Sequence, residues 1–213
     1  MQVLRCTFIT DGPSDRALIP HLKWLLKENG INMPVAIEWA ELRHLLQVPH
    51  ILNQRIEKSL ELYPCDLLFV HKDAERDNPA RKLQEVRDAL VAVDSGIQIP
   101  EVVCLIPVRM QESWLLFDEA AIRRASGNPN GRVLISLPKL KTVENLPDPK
   151  DVLYELLRIA SERSGRRLKQ FNVRHGAGQV SQFIEDFSPL RILPAFQRLE
   201  ADVKIAIANQ CWT

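Results

Sequence analysis

Short runs of apolar and β-branched residues alternate along the chain with segments whose apolar positions recur every three or four residues. Val3 to Thr10 reads as a buried strand, because Cys6-Thr7-Phe8-Ile9 is an unbroken run of this kind. Ser14 to Glu28 sets Leu18, Leu22, Leu25 and Leu26 on one helical face, and Asn29-Gly30 stops it. Pro20 within that stretch requires either a kink or an irregular first turn. Val35 to Ala40 reads as a second strand, weakened by Glu38, and Val48 to Leu62 as a helix with Ile51, Ile56 and Leu60 apolar. Leu67 to Val70 and Val102 to Pro107 are further strands. They are separated by a helix from Pro79, a good first helical residue, to Val93. A helix over Gln111 to Ser126 follows. This order predicts an α/β fold with a mainly parallel sheet flanked by helices.

From Gly127 the pattern changes. Asn128-Pro129-Asn130-Gly131 and Leu146-Pro147-Asp148-Pro149 are turn clusters around a basic, weakly patterned stretch. Helices are then expected over Pro149 to Ser161, Gly178 to Phe187 and Leu190 to Ala208. The division is an α/β core over 1–127 and a helical extension over 128–213 packed on it. There is no internal repeat and no low-complexity tract.

With 213 residues, 46% hydrophobic and 26% charged, the chain can bury a substantial core. Cys6, Cys65, Cys104 and Cys211 are far apart and form no C-x-x-C pair. They read as small core residues of a reducing cytosol, not as zinc ligands or a disulfide framework. The first residues begin a strand and do not resemble a signal peptide, and no stretch is expected to span a membrane, so the expected location is cytoplasmic.

Candidate chemistry lies where strands end. Asp11-Gly12 follows the first strand and Asp73-Ala74-Glu75 the third. Groups just past the carboxyl ends of parallel strands meet at one edge of the sheet. If these strands are neighbours, Asp11, Asp73 and Glu75 converge, and a hard divalent cation relieves their repulsion. Acidic residues after strands are also common turn and N-cap residues. Gly12 allows a sharp turn or a close ligand approach, and Ser14 or Asp15 can cap the following helix. Asp77, before Asn78-Pro79, reads as a cap or an outer-shell acid. His71 and Lys72 read as surface residues at a strand end or as phosphate contacts. Glu112 opens a helix at the same expected edge, where the helix dipole alone would favour an acid.

Hydrophobic strand, acid-Gly, helix, hydrophobic strand, acid-x-acid is a pattern that resembles Toprim domains. The chain is similar to small stand-alone Toprim-like bacterial proteins found near mobile elements and defence genes. Three stretches carry the likeness: Ile9 to Asp15, Leu68 to Glu75, and Gln111 to Leu116. They organise about the first 125 residues. A weaker likeness lies in Leu193 to Leu199. The resemblance implies a Toprim-like, Rossmann-like sheet. Asp11 stands where Toprim enzymes carry a glutamate acting as general acid or base. Asp73-Ala74-Glu75 stands where they carry a D-x-D that binds Mg²⁺, and Glu112 matches a later acid-x-Trp element. Both swaps keep the charge and change its reach by one methylene. Tyr63 and Tyr154 lie in ordinary helical contexts, which sets a topoisomerase aside. No G-x-x-x-x-G-K-[ST] loop occurs, so any coupled ATP hydrolysis would come from a separate ATPase partner.

The formal net charge is only +1, but its distribution is uneven. Arg158, Arg163, Arg166, Arg167, Lys169 and Arg174 face Glu162 alone, a local net of +5. Arg123, Arg124, Arg132, Lys139 and Lys141 form a second acid-free group. Such clusters near an acidic site suit a phosphodiester backbone, with Arg163, Arg166, Arg167, Lys169 and Arg174 as the expected contacts; a solvated helical face has the same composition. The expectation is therefore a Mg²⁺- or Mn²⁺-dependent nuclease or related phosphodiester enzyme, with Asp11, Asp73 and Glu75 at the metal and Glu112 beside them. The alternatives are a catalytically degenerate subunit that binds nucleic acid or an ATPase, and a hydrolase of a small phosphorylated molecule. A homo-oligomer is compatible with either.

Overall fold

In a computed structural model describing residues 2–75 and 77–212, the four strand runs join into one sheet. Met1, Arg76 and Thr213 lie outside the described residues. β1 (Leu4–Ile9), β2 (Val35–Trp39), β3 (Leu67–His71) and β4 (Glu101–Leu105) are all parallel, in the order β2-β1-β3-β4. Ile9 stands beside Val70, and Val70 beside Cys104. The carboxyl ends of β1, β3 and β4 therefore finish nearly level.

Side chains alternate across the sheet and meet two helical layers. Ile9, Leu68 and Val70 pack with Ile56 of α2 (Leu52–Leu62) and Val86 of α3 (Pro79–Val91). Leu4, Cys6, Phe8, Leu67, Phe69, Val103 and Leu105 face the other way, against Leu22 and Leu25 of α1 (Ile19–Glu28). The helical extension shares this second core. Leu157 of α5 (Pro149–Ala160), Val180 of α7 (Val173–Phe183) and Phe196 and Val203 of α8 (Pro194–Gln210) belong to the same buried cluster. Trp114 meets Phe196 edge-on at 5.2 Å between ring centroids, and both are fully buried. Cys6 is buried, Cys65 and Cys104 are half-buried, and Cys211 is exposed, so only the first is a full core residue. No helix among the described residues is long and apolar enough to cross a membrane.

Local departures from the sequence expectation have local causes. Pro20 sits in the first turn of α1, and the preceding Pro13–Leu18 winds as a 3₁₀ helix. The helix expected over Gln111 to Ser126 is split into a 3₁₀ turn, Gln111–Leu115, and α4 (Glu119–Ala125). Asp118 restarts it by accepting the Ala121 N–H at 2.9 Å. After a short α6 (Gly165–Lys169), α7 begins at Val173, ahead of the expected Gly178, because Asn172 accepts the His175 N–H at 3.0 Å. Gly176 lies inside this helix, not in a flexible linker. A Cβ there would stand 3.2 Å from the Ala125 carbonyl oxygen, so glycine lets α7 close on α4.

Candidate functional site

The chain leaves β1 toward β2 on one side and returns to β3 on the other. The crevice outside the carboxyl ends of β1 and β3 is thus the topological switch point, where open α/β sheets bind ligands. The Gln111–Leu115 turn after β4 lies against it.

The inward acid of the β1 junction is Asp15. The 3₁₀ turn brings it back beneath Gly12, whose N–H donates to Asp15 Oδ2 at 2.9 Å. Ser14 Oγ and Gln111 Nε2 donate to Asp15 Oδ1 at 3.1 and 3.0 Å. Gly12 itself is extended, with φ −150°, and a Cβ there would find only ordinary contacts, so no special turn or close approach depends on it. Asp73 Oδ1 accepts the Gln111 N–H at 3.1 Å. His71 is buried, not a surface residue. Its Nδ1 lies 3.1 Å from the Leu105 carbonyl oxygen, which can only accept, so Nδ1 carries the proton. Its Nε2 then faces Asp73 Oδ1 at 3.5 Å and Asp15 Oδ2 at 3.8 Å. Glu112 is buried beside Gln111, and Gln111 Oε1 is a buried oxygen without a partner.

This crowding shifts proton equilibria. Burial, followed by the charges of Asp15 and Glu112, pushes the Asp73 carboxyl up to about 8 against the pull of the Gln111 N–H. Burial also raises Glu112, helped by Asp15 and Asp148 and opposed by its own N–H and Lys150. Burial lowers His71 despite Asp15 and the Leu105 carbonyl. Asp73 and Glu112 therefore favour uptake of a proton or a cation, while burial keeps the His71 imidazole from charging.

Glu75 does not join this group, and Asp11 reaches it only through its charge, which helps to raise Asp73 and opposes the lowering of His71. Asp11 is 48% exposed and accepts from Arg55 Nη1 at 2.9 Å and from Lys72 Nζ at 3.1 Å. Partial burial works against it, but these two cations together hold its carboxyl below the ordinary range. A carboxylate so held is a poor proton carrier near neutrality, unlike Asp73. Glu75 is exposed because its φ of 51° breaks the extended alternation that a D-x-E pair needs to face one way, and its N–H donates to the Arg109 carbonyl at 2.8 Å. Among the described residues, no three His, Cys, Asp or Glu side chains form a group that could hold a metal ion, so neither Asp11, Asp73 and Glu75 nor Asp15, Asp73 and Glu112 make a three-carboxylate shell.

Of the expected nucleic-acid contacts, Arg174 alone lines the cleft at the acids. That cleft, about 410 Å³, also takes in Gln111, Glu112, Lys150 and Tyr154. The Arg163 guanidinium covers the Phe171 ring at 4.7 Å, and Arg166, Arg167 and Lys169 are exposed on α6, away from this cleft. Asp15 was legible only as a cap, which it also is. Gln111 and Lys150 carry no sequence signal for this site.

No protein-family model matches the chain, and no curated protein and no solved structure matches it either.

Proposed function

We propose that the chain is a Mg²⁺- or Mn²⁺-dependent phosphoester hydrolase acting on nucleic acid, a Toprim-like nuclease. One observation carries the reading: Asp15, Asp73 and Glu112 crowd the switch point of a parallel sheet, beside a cleft rimmed by Lys150 and Arg174. Mg²⁺ is commonly held by only one or two carboxylates, with substrate phosphate completing its shell. Asp73, Glu112 and the unpartnered Gln111 Oε1 are a hard-oxygen donor set of that kind. When bound, the cation polarises a phosphoryl oxygen and acidifies attacking water. Asp15 fixes the Gln111 amide through its Nε2. His71, its tautomer set by Leu105, presents an unprotonated Nε2 to Asp73 and Asp15. Lys150 and Arg174 attract the phosphate.

Calorimetry tests the reading. Wild type should bind Mn²⁺, Asp73→Ala should lose that binding while staying folded, and only wild type should cut DNA or RNA. Equal Mn²⁺ binding by the two proteins would overturn the assignment. The pinning of Asp11 by Arg55 and Lys72 favours a second reading, a binding subunit that has kept the fold. It would bind Mn²⁺ and nucleic acid and cut neither DNA nor RNA, with or without a partner ATPase.

A further inference from the structure

The cleft at Glu112 does not end there. It shares Ser14, Ala17, Arg174 and Gly178 with a second cleft of about 910 Å³, and the two form one trough between the α/β core and α5 and α7 of the extension. Arg16 and Lys23 rim it from the core, and Lys150, Arg174 and His175 from the extension. Glu112, at the inner end, is the one acid lining either cleft. Arg16, Lys23, Lys150 and Arg174 make no ion pair among the described residues. Unpaired cations from four separate segments along one open channel are complementary to a polyanion. Between them the lining mixes apolar side chains, Ile19, Pro20 and Ile37 at the outer end and Tyr154 at the inner end, with the amides of Asn172, Gln179 and Gln182.

We propose that this trough binds a single strand of nucleic acid and leads it toward Glu112. A single strand offers phosphates for the cationic rim, free base faces for Tyr154 and the apolar side chains, and free base edges for the amides. A duplex hides its base faces and offers phosphates alone, which an open convex surface serves as well. The direction toward Glu112 rests on the phosphoester reading above; the binding does not. The exposed cations of α6 lie outside the trough and have no part in it.

Fluorescence anisotropy with a labelled oligothymidylate, and with its oligoadenylate duplex, tests this in EDTA, so that no metal takes part. Wild type should bind the single strand more tightly than the duplex. Lys23→Glu with Arg174→Glu should weaken the single-strand complex at least about tenfold. It should also flatten the salt dependence by about 1.4, since each single-strand phosphate contact contributes about 0.7 to the slope. Arg166→Glu with Arg167→Glu should bind as wild type does. If the charge-reversed trough variant loses its circular dichroism signal, Lys23→Ala with Arg174→Ala replaces it, with the same slope change expected. The proposal is overturned if wild type binds no oligonucleotide or prefers the duplex, if the trough variant binds as wild type does, or if the α6 variant loses as much. Mn²⁺ calorimetry separates the two readings. Intact Mn²⁺ binding without oligonucleotide binding sinks the trough alone, and the reverse sinks the metal assignment alone.

Discussion

Replacing Asp73 by Asn should stabilise the metal-free protein, and by more as pH rises. An Asp carboxyl ordinarily titrates near 3.8, and that of folded Asp73 is pushed up to about 8. Between those values the folded protein holds a proton that the unfolded chain has released. Stability is therefore highest in acid and falls as pH rises, levelling off above 8. At about 1.4 kcal/mol per pH unit, this costs wild type about 2 kcal/mol at pH 5.5 and about 4 kcal/mol at pH 7. Asn has the same shape and can still accept the Gln111 N–H, but it has no charge to bury. The stability gap between Asp73→Asn and wild type should widen by about 3 kcal/mol between pH 5.5 and 8.5. Urea unfolding followed by circular dichroism in EDTA measures it. Titrations elsewhere in the chain, His21 included, are common to both proteins and cancel in the difference. Added Mn²⁺ should narrow the gap, because it stabilises only a protein that binds it. A gap independent of pH, or a variant less stable than wild type throughout, would show that Asp73 carries no buried-charge penalty, and the crowding argument would fall.

Asp11→Asn removes two ion pairs whose carboxylate is half-exposed, so it should cost at most about 1 kcal/mol of stability. It should leave cleavage within about tenfold of wild type. A fall of roughly 10²–10⁴-fold, as loss of a positioned acid or base produces, would return Asp11 to the proton-transfer role. His21 is fully buried between Trp114 and Phe187. The main chain of Ala17 and Trp114 lies near, but neither ring nitrogen has a hydrogen bond of normal geometry, and burial pushes the imidazole down to about 3. The unfolded chain then binds the extra proton between about 3 and 6.5, so stability falls as pH drops below 6.5, by about 2 kcal/mol at pH 5. His21→Leu should lack this acid limb, as urea midpoints at pH 7 and 5 will show; identical acid slopes in both proteins would refute the assignment.

β1 and β3 were legible because strands buried on both faces read as unbroken apolar runs, whereas the edge strand β2 alternates and carries Glu38; all four expected strands form. Asp73 was legible because it sits two residues past the end of β3, where position follows from topology, and Glu112 because it lies in the first helical turn after β4. Asp15 was not, because only the 3₁₀ turn at Pro13–Leu18 brings it under Gly12. Glu75 misleads because one positive φ reverses its direction, and a D-x-E spacing carries no information about φ. The run from Arg158 to Arg174 has the highest linear charge density, yet linear density does not say which way groups face. The trough draws Arg16, Lys23, Lys150 and Arg174 from four places in the chain and leaves Arg166 and Arg167 outside. Gly176, inside α7, shows that composition does not separate a flexible glycine from one that permits close helix packing.

Of the two acids that the sequence places after β1 and β3, Glu75 turns away from the pocket and Asp11 is held at its edge. Asp11 is neutralised by Arg55 and Lys72, and Asp15 takes the inward place four residues later. Charge is thereby sorted by depth. The inner pocket holds Asp15, Asp73 and Glu112 against one imidazole, while unpaired cations rim the trough outside it. A cation alone would relieve the inner excess, and a phosphodiester alone would relieve the outer one. On the proposed reading a phosphodiester with a divalent cation satisfies both, and each lowers the electrostatic cost of binding the other. Mn²⁺ should therefore tighten oligonucleotide binding by the same factor by which the oligonucleotide tightens Mn²⁺ binding, as linkage requires.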